Sequence, residues 1–278
     1  MPTPLRLSTS IDAPVAIDHL VDWLIDYLDG SGLKGWVVGV SGGIDSAVVS
    51  ALLARTGRPV LSLRLPIHQA ESQDNRGARH IAALEAEFGQ MSSACVDLTL
   101  AFDHWKSDFE RANQAISTLG EANARARLRM TTLYAAAAER DALVVGTGNR
   151  VEDFGVGFYT KYGDGGVDLS PIANLYKSEV FALGSSLGVA QEILEAAPTD
   201  GLWGDGRTDE EQLGATYAEL EWAMELWNEG DAVDVIDTLQ GRAAQVMEIF
   251  QRLNRANQHK MRPIPVAPIP SNLRTVTR

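Results

Sequence analysis

The stretch Gly39-Val40-Ser41-Gly42-Gly43-Ile44-Asp45-Ser46 constrains the fold of this chain more than any other. An apolar run, Trp36-Val37-Val38, precedes it, and Ala47 to Leu53 follows, free of Gly and Pro and mostly apolar. That order predicts a buried strand, a tight glycine loop and a helix. Adjacent glycines let the backbone turn sharply and approach a ligand with no Cβ between. The first N–H groups of the helix lack partners within it and face any anion held there. Ser41 and Ser46 add hydroxyl donors, so the chemistry is that of a phosphate cradle. No Gly-Lys-Ser/Thr ends the loop, which separates it from the Walker A type. Asp45 would repel phosphates unless a cation lay between them, and Mg2+ suits that place because it favours a carboxylate or two plus phosphate oxygens. A plain strand–turn–helix connection with a capping Ser and Asp is the structural alternative.

Strand and helix patterns then alternate. Residues 14–29 read as an amphipathic helix ending near Gly30, Pro59 to Leu65 as a second strand, and 72–88 as a helix closing at Gly89. Ser93 to Val96 is a weak third strand, 121–140 a long helix, and Ala142 to Val145 a short buried strand. Helical pattern returns at 177–187, 190–196, 209–228 and 231–256, and the Pro-rich tail from Pro263 reads as extended. The expected fold class is α/β: a doubly wound parallel sheet with helices on both faces, followed by C-terminal helices, in one domain over 1–278. In such sheets ligands sit beyond the carboxyl ends of the strands, where the glycine loop lies.

Composition narrows the partners. The net charge is −13, from 24 basic and 37 acidic residues, and no Lys or Arg falls between Arg207 and Arg242. That balance offers a polyanion no broad basic surface, so nucleic acid is excluded, whereas a small phosphorylated ligand needs only a local basic pocket. No apolar run approaches the roughly 18 residues that span a bilayer, and Met1 to Arg6 lacks an apolar signal core. A cytoplasmic protein without a membrane partner is expected. Cys95, the single cysteine, excludes an internal disulfide and a Cys-rich zinc site, and is read as a buried small residue.

Two further stretches carry chemistry. Gly146-Thr147-Gly148-Asn149-Arg150-Val151-Glu152-Asp153 follows a strand directly, which sets it at the same sheet edge as the first loop. Phe158 to Asp168 interleaves Lys161, Asp164, Asp168 and three aromatic residues with glycines, a composition suited to gripping a nucleotide by phosphate and ring; a hairpin with a Gly-Asp-Gly-Gly turn is the alternative. The span 146–166 is too long for a simple connector.

Ser-Gly-Gly-Ile-Asp-Ser resembles the pyrophosphate loop of the N-type ATP pyrophosphatases, and further motifs narrow the resemblance. Leu65-Pro66-Ile67-His68-Gln69, Asn123 to Met130, Lys177, Pro198-Thr199-Asp200 and His259-Lys260, with the loops above, are similar to ammonia-dependent NAD+ synthetases over about residues 15–262. The resemblance implies that Gly39, Val40, Ser41, Gly42, Gly43, Ile44, Asp45 and Ser46 bind the ATP phosphates. It implies that Arg64, Gln69 and Thr147 contact ATP, and that Lys177 and Thr199 meet its phosphates near the reacting centre. Asn123, Arg127, Lys161, Asp168, His259 and Lys260 would bind the second substrate, deamido-NAD+. Asn123 and Arg127, four residues apart, share one helical face; Arg125, Arg127 and Arg129 on a solvated helix are the alternative reading.

Asp45 and one further carboxylate would hold Mg2+. Family members often carry a single Glu followed by apolar residues, whereas Glu152-Asp153-Phe154-Gly155 has one residue more. Counting forward from Thr147 selects Glu152 and counting back from Lys161 selects Asp153; the forward count is adopted. The implied reaction is a ligase chemistry of two steps, adenylation of the nicotinate carboxylate with loss of pyrophosphate, then attack of ammonia with loss of AMP. Asp168 or a nearby carboxylate would assist deprotonation of ammonium. The resemblance also implies a homodimer, with the helix at 121–140 and the first helix as candidate interface. The loops at 154–166 and 200–208 are expected to order over the substrates. The rival readings are another ATP pyrophosphatase and a non-catalytic adenine-nucleotide sensor.

Overall fold

The computed structural model describes residues 5, 10–69, 71–112, 115–199, 207–228 and 233–274. Four strands, β1 (Gly35–Gly39), β2 (Val60–Arg64), β3 (Met91–Cys95) and β4 (Ala142–Val145), form a wholly parallel sheet in the order β3-β2-β1-β4. The chain steps from β1 through β2 to β3 on one side and returns to add β4 on the other. The direction of winding therefore reverses between β1 and β4, which is where such sheets open a crevice at their carboxyl ends.

Helices cover both faces, as the alternation predicts. Along β1, Trp36 and Val38 join α1 (Ala13–Ser31), α2 (Ile44–Arg55) and α6 (Lys177–Ser186) in one core, while Val37 turns to the other face with Leu61, Leu63 and Val144. There it meets α4 (Thr99–Ala112) and α5 (Thr118–Ala138) through Phe102 and Ala137. Both faces of β1 are buried, so its sequence is apolar without alternation. Helix α3 (Glu71–Glu87) packs beside α2 and the edge of the sheet. Helix α4 is not signalled by the sequence pattern, because His104, Lys106 and Asp108 break its apolar positions.

Cys95 is exposed rather than buried. The cause is the strand order: β3 is an edge strand, and after Met91 its residues are open to solvent. The expected helix 209–228 is two, α8 (Asp209–Leu213) and α9 (Tyr217–Asn228), with α7 (Gln191–Leu194) preceding them. Gly214 takes φ 80°, a left-handed turn that ends α8. The expected helix 231–256 is likewise α10 (Val233–Ile236) and α11 (Gly241–Met261), parted before Gly241 at φ 58°. Tyr217, Leu220, Met224, Val246, Met247 and Phe250 from α9 and α11 build a second core with Val151 and Val156. Among the described residues no helix is long and apolar enough to cross a membrane.

Candidate active site

The crevice holds a cavity of about 280 Å³ beyond the ends of β1, β2 and β4. Its floor is the glycine loop, of which Gly39, Val40, Ser41, Gly43, Ile44, Asp45 and Ser46 line the space. Gly42 sits at φ 85°, and a Cβ there would stand 2.4 Å from the Gln73 carbonyl oxygen, so both conformation and α3 demand glycine. The Ser46 hydroxyl accepts from Ser41 N at 3.2 Å and donates to Gly43 O at 3.0 Å, which fixes the turn from inside. Asp45 falls in the first turn of α2.

The second loop, after β4, brings Thr147, Gly148, Glu152 and Asp153 to the same cavity. Residues Val151–Val156 form a π-helical turn, closed by Gly157 N donating to Glu152 O. A π turn absorbs one extra residue within a helical stretch. Glu152 and Asp153 both lie in this turn, and both carboxyls line the cavity. Asp153 packs so closely on Gly148 that a Cβ there would lie 2.2 Å from its Oδ1. Burial, reinforced by Glu152, Asp164 and Asp45, pushes the Asp153 carboxyl up to about 8.

Between the two loops stands Lys177, the first residue of α6, with 3% of its surface exposed. Its Nζ donates to Asp45 Oδ2 at 2.6 Å and to Glu152 Oε1 at 3.0 Å. Burial alone would lower the Lys177 ammonium, but the two carboxylates outweigh it and raise the amine above its ordinary value, so it stays charged. Burial, and after it the Glu152 charge, raise Asp45, while Lys177 opposes them. Fully buried Asn149 organises the pair: its Nδ2 donates to Asp45 Oδ1 at 3.2 Å and its Oδ1 accepts from Glu152 N at 3.2 Å. Tyr217 completes the group, its hydroxyl donating to Glu152 Oε1 at 2.5 Å.

Gln69, Thr147, Lys177 and Thr199 all line the cavity. Arg64 does not; its guanidinium pairs with Asp74, which does. The alternative reading of the three arginines as a solvated stripe fails for two of them. Arg129 reaches the cavity, donating to Leu65 O at 2.9 Å and to Gln69 Oε1 at 3.0 Å, while Arg125 lies over the Phe102 ring at 4.7 Å.

The residues expected to hold the second substrate gather around the 157–164 segment instead of lining the cavity. Thr160 donates to Asn123 Oδ1 at 2.7 Å, Arg127 to Lys161 O at 3.2 Å, and Lys161 to the carbonyl of His259 at 2.7 Å. Lys260 donates to Gly157 O and Tyr159 O at 2.8 and 2.7 Å. This segment makes tight turns, with Gly163 N and Gly165 N both donating to Thr160 O, and no hairpin. Asp168 stands apart: it accepts from Tyr134 OH at 3.0 Å and from Val144 N at 2.8 Å, tying the segment to β4. The carboxyls lining the cavity are those of Asp45, Asp74, Glu152, Asp153, Asp164 and Asp209. Asp200 and most of the 200–208 loop lie outside the described residues.

Sequence reasoning missed the roles of Asn149, Arg129, Asp209 and Tyr217. Asn149 and Arg129 lie within quoted motifs; Asp209 and Tyr217 are brought in by helix packing that no local pattern signals.

No group of three or more His, Cys, Asp or Glu among the described residues is arranged to hold a metal alone. Mg2+ does not require one, since it takes one or two carboxylates and completes its shell with phosphate oxygens and water. Asp45 and Glu152, one on each side of Lys177 at the mouth of an N–H-rich loop, fit that donor set.

The family model described as NAD synthase matches residues 16–264. The NH(3)-dependent NAD(+) synthetase of Alkaliphilus oremlandii is 37% identical over 258 residues, covering 91% of this chain and 96% of that protein. Among solved structures, the NMN synthetase from Francisella tularensis is 33% identical with a TM-score of 0.79, covering 94% of this chain and all of that one. The NAD+ synthetase from Burkholderia pseudomallei is 27% identical with a TM-score of 0.68, covering 92% of each chain. With its switch-point cavity, its glycine loop and these relatives over almost its full length, the chain belongs to the NAD synthase family.

Proposed function

We infer that this cavity carries the ATP-dependent amidation of deamido-NAD+ by ammonia, giving NAD+, AMP and pyrophosphate. The protein is a ligase of the NH3-dependent kind. The observation that carries the site assignment is the buried Lys177 ammonium shared by Asp45 and Glu152 beside the phosphate-type loop.

In the first step the nicotinate carboxylate attacks the α-phosphorus of ATP, the bond from that phosphorus to the α,β-bridging oxygen breaks, and pyrophosphate leaves. Two anions must meet, so the protein's task is alignment and charge neutralisation. N–H groups of the glycine loop and the hydroxyls of Ser41 and Thr199 receive the phosphates, while Ser46 holds the loop in shape. Lys177 spends two of its three N–H on Asp45 and Glu152, which leaves one for a phosphate oxygen. Mg2+ held by Asp45 and Glu152 would supply the remaining positive charge. Gln69, Arg129 and Thr147 surround the nucleoside end, and Asn123, Arg127, Lys161, His259 and Lys260 hold the dinucleotide against the 157–164 turns. In the second step ammonia attacks the activated carbonyl and AMP departs. The proton shed by ammonium has Asp153 and Asp164 as carboxylate neighbours in the same cavity. We take the working unit to be a cytoplasmic homodimer with the dinucleotide near the subunit boundary.

The likeness to an NMN synthetase favours one second reading, in which the acceptor is the mononucleotide acid. Specificity decides between them. With Mg-ATP and ammonium, kcat/KM for deamido-NAD+ is expected to exceed that for nicotinic acid mononucleotide by at least about a hundredfold. A preference for the mononucleotide would replace the first reading by the second, and hydrolysis of ATP to ADP would sink both.

A further inference from the structure

Beyond its partners Asp45 and Glu152, Lys177 is flanked by side chains of α9. Tyr217 and Glu221 are one turn apart on that helix, so they project on one face. The Tyr217 ring lies 4.7 Å below Lys177 Nζ, and its hydroxyl donates to Glu152 Oε1. Asp209 Oδ2, from α8, stands 3.3 Å from the same hydroxyl, a meeting made possible by the break at Gly214. Glu221 is 2% exposed and accepts from Ser178 N and Ser178 OH, each at 2.8 Å. A buried carboxylate is costly unless its oxygens are bonded. Here both are bonded by the residue that follows Lys177, at the positive end of α6.

We propose that Tyr217 and Glu221 are positioning residues for the adenylation step: the tyrosine is both the platform under the Lys177 ammonium and the donor that orients Glu152, and the glutamate anchors the turn that presents Lys177. This rests on the reading of the reaction given above. Hydrophobic packing alone would require neither the hydroxyl nor the carboxylate. Leu220, between them on the same helix and fully buried, gives the contrasting case of a residue that only packs.

The test uses the whole protein with four variants, Tyr217→Phe, Tyr217→Leu, Glu221→Ala and Leu220→Ala. The first readout is the rate at which an amine-reactive reagent labels Lys177, followed by peptide mass spectrometry, and it needs no turnover. Tyr217→Leu and Glu221→Ala are expected to be labelled at least about fivefold faster than Leu220→Ala, because the ammonium leaves its buried pairs more often. The second readout is pyrophosphate release. Tyr217→Phe keeps the ring and loses the bond to Glu152, so kcat falls about tenfold while the KM for ATP stays within about threefold and the melting temperature is unchanged. Labelling no faster than in Leu220→Ala, or a Tyr217→Phe enzyme within about twofold of wild-type kcat, would overturn the proposal. Faster labelling in a protein whose wild type releases no pyrophosphate would retain the clamp and remove the reaction assigned to it.

Discussion

The two sides of the cavity are built by different means. On the sheet side, β1, the glycine loop and α2 form one continuous piece of chain, and backbone geometry does most of the work. Asp45 follows three residues after a glycine whose left-handed conformation sets the turn. On the helical side, Glu152, Lys177, Asp209 and Tyr217 come from four separate segments and are brought together by the packing of α9 and α11 on the π turn. The first side is set by local backbone geometry, the second by a core that must form before the site exists. Damage to the sheet side should therefore act locally on the nucleotide, whereas damage to the helical side should spread.

Lys177 belongs to both sides and gives the largest expected effect. Lys177→Met leaves Asp45 and Glu152 facing each other without a cation, so turnover should fall by at least about a thousandfold, and urea unfolding should show a loss of about 3 kcal/mol. Next is Phe250→Ala, at a fully buried position in the second core. Its truncation should cost about 4 kcal/mol by denaturant titration, and the enzyme that remains folded should lose kcat because α9 loses its bed. An equal truncation of Leu52, buried in the sheet-side core, should reduce stability while sparing kcat of the folded fraction; equal kcat losses would break the contrast.

Gly42→Ala is a smaller and more local change. Its φ of 85° and the Gln73 carbonyl beside it make the cost about 2 kcal/mol, seen as a raised KM for ATP with little change in labelling at Lys177. The smallest effect concerns pH. His80, buried on α3, has its Nε2 2.9 Å from the Ser50 hydroxyl, and burial lowers its pKa below the ordinary 6.5. The folded state binds that proton less readily than the unfolded chain, so the histidine's contribution is complete above the unfolded value and is lost as pH falls below it. The change in melting temperature from about pH 7.5 to pH 5.5 should therefore be more unfavourable in the wild type than in His80→Gln, in which the other titrating groups are unchanged.

This division also explains what was legible in the sequence. The strand–loop–helix unit at 36–53, the alternation that gives the parallel sheet, and the placement of the second loop after β4 all follow from short-range pattern, and each corresponds to an observed element. The ends of α8 and α10 did not, because the breaks before Tyr217 and Gly241 interrupt apolar patterns that continue on both sides. The short pattern of β3 suggests a buried Cys95 because it does not reveal that this strand is the edge of the sheet. A residue count does not choose between Glu152 and Asp153, and both line the cavity; within the π turn Glu152 bonds to Lys177 while Asp153 packs on Gly148. Asp168 shows the converse, a carboxylate in a well-marked stretch that bonds to β4 and Tyr134 and not into the cavity.

The most direct test of the account is to quantify NAD+, AMP and pyrophosphate together from one reaction of Mg-ATP, ammonium and deamido-NAD+, with wild type and Lys177→Met in parallel. Equal amounts of the three products from the wild type, and none above background from the variant, are the predicted result. Pyrophosphate and AMP without NAD+, or a Lys177→Met enzyme that retains more than about a tenth of the wild-type rate, would contradict the assignment of this cavity.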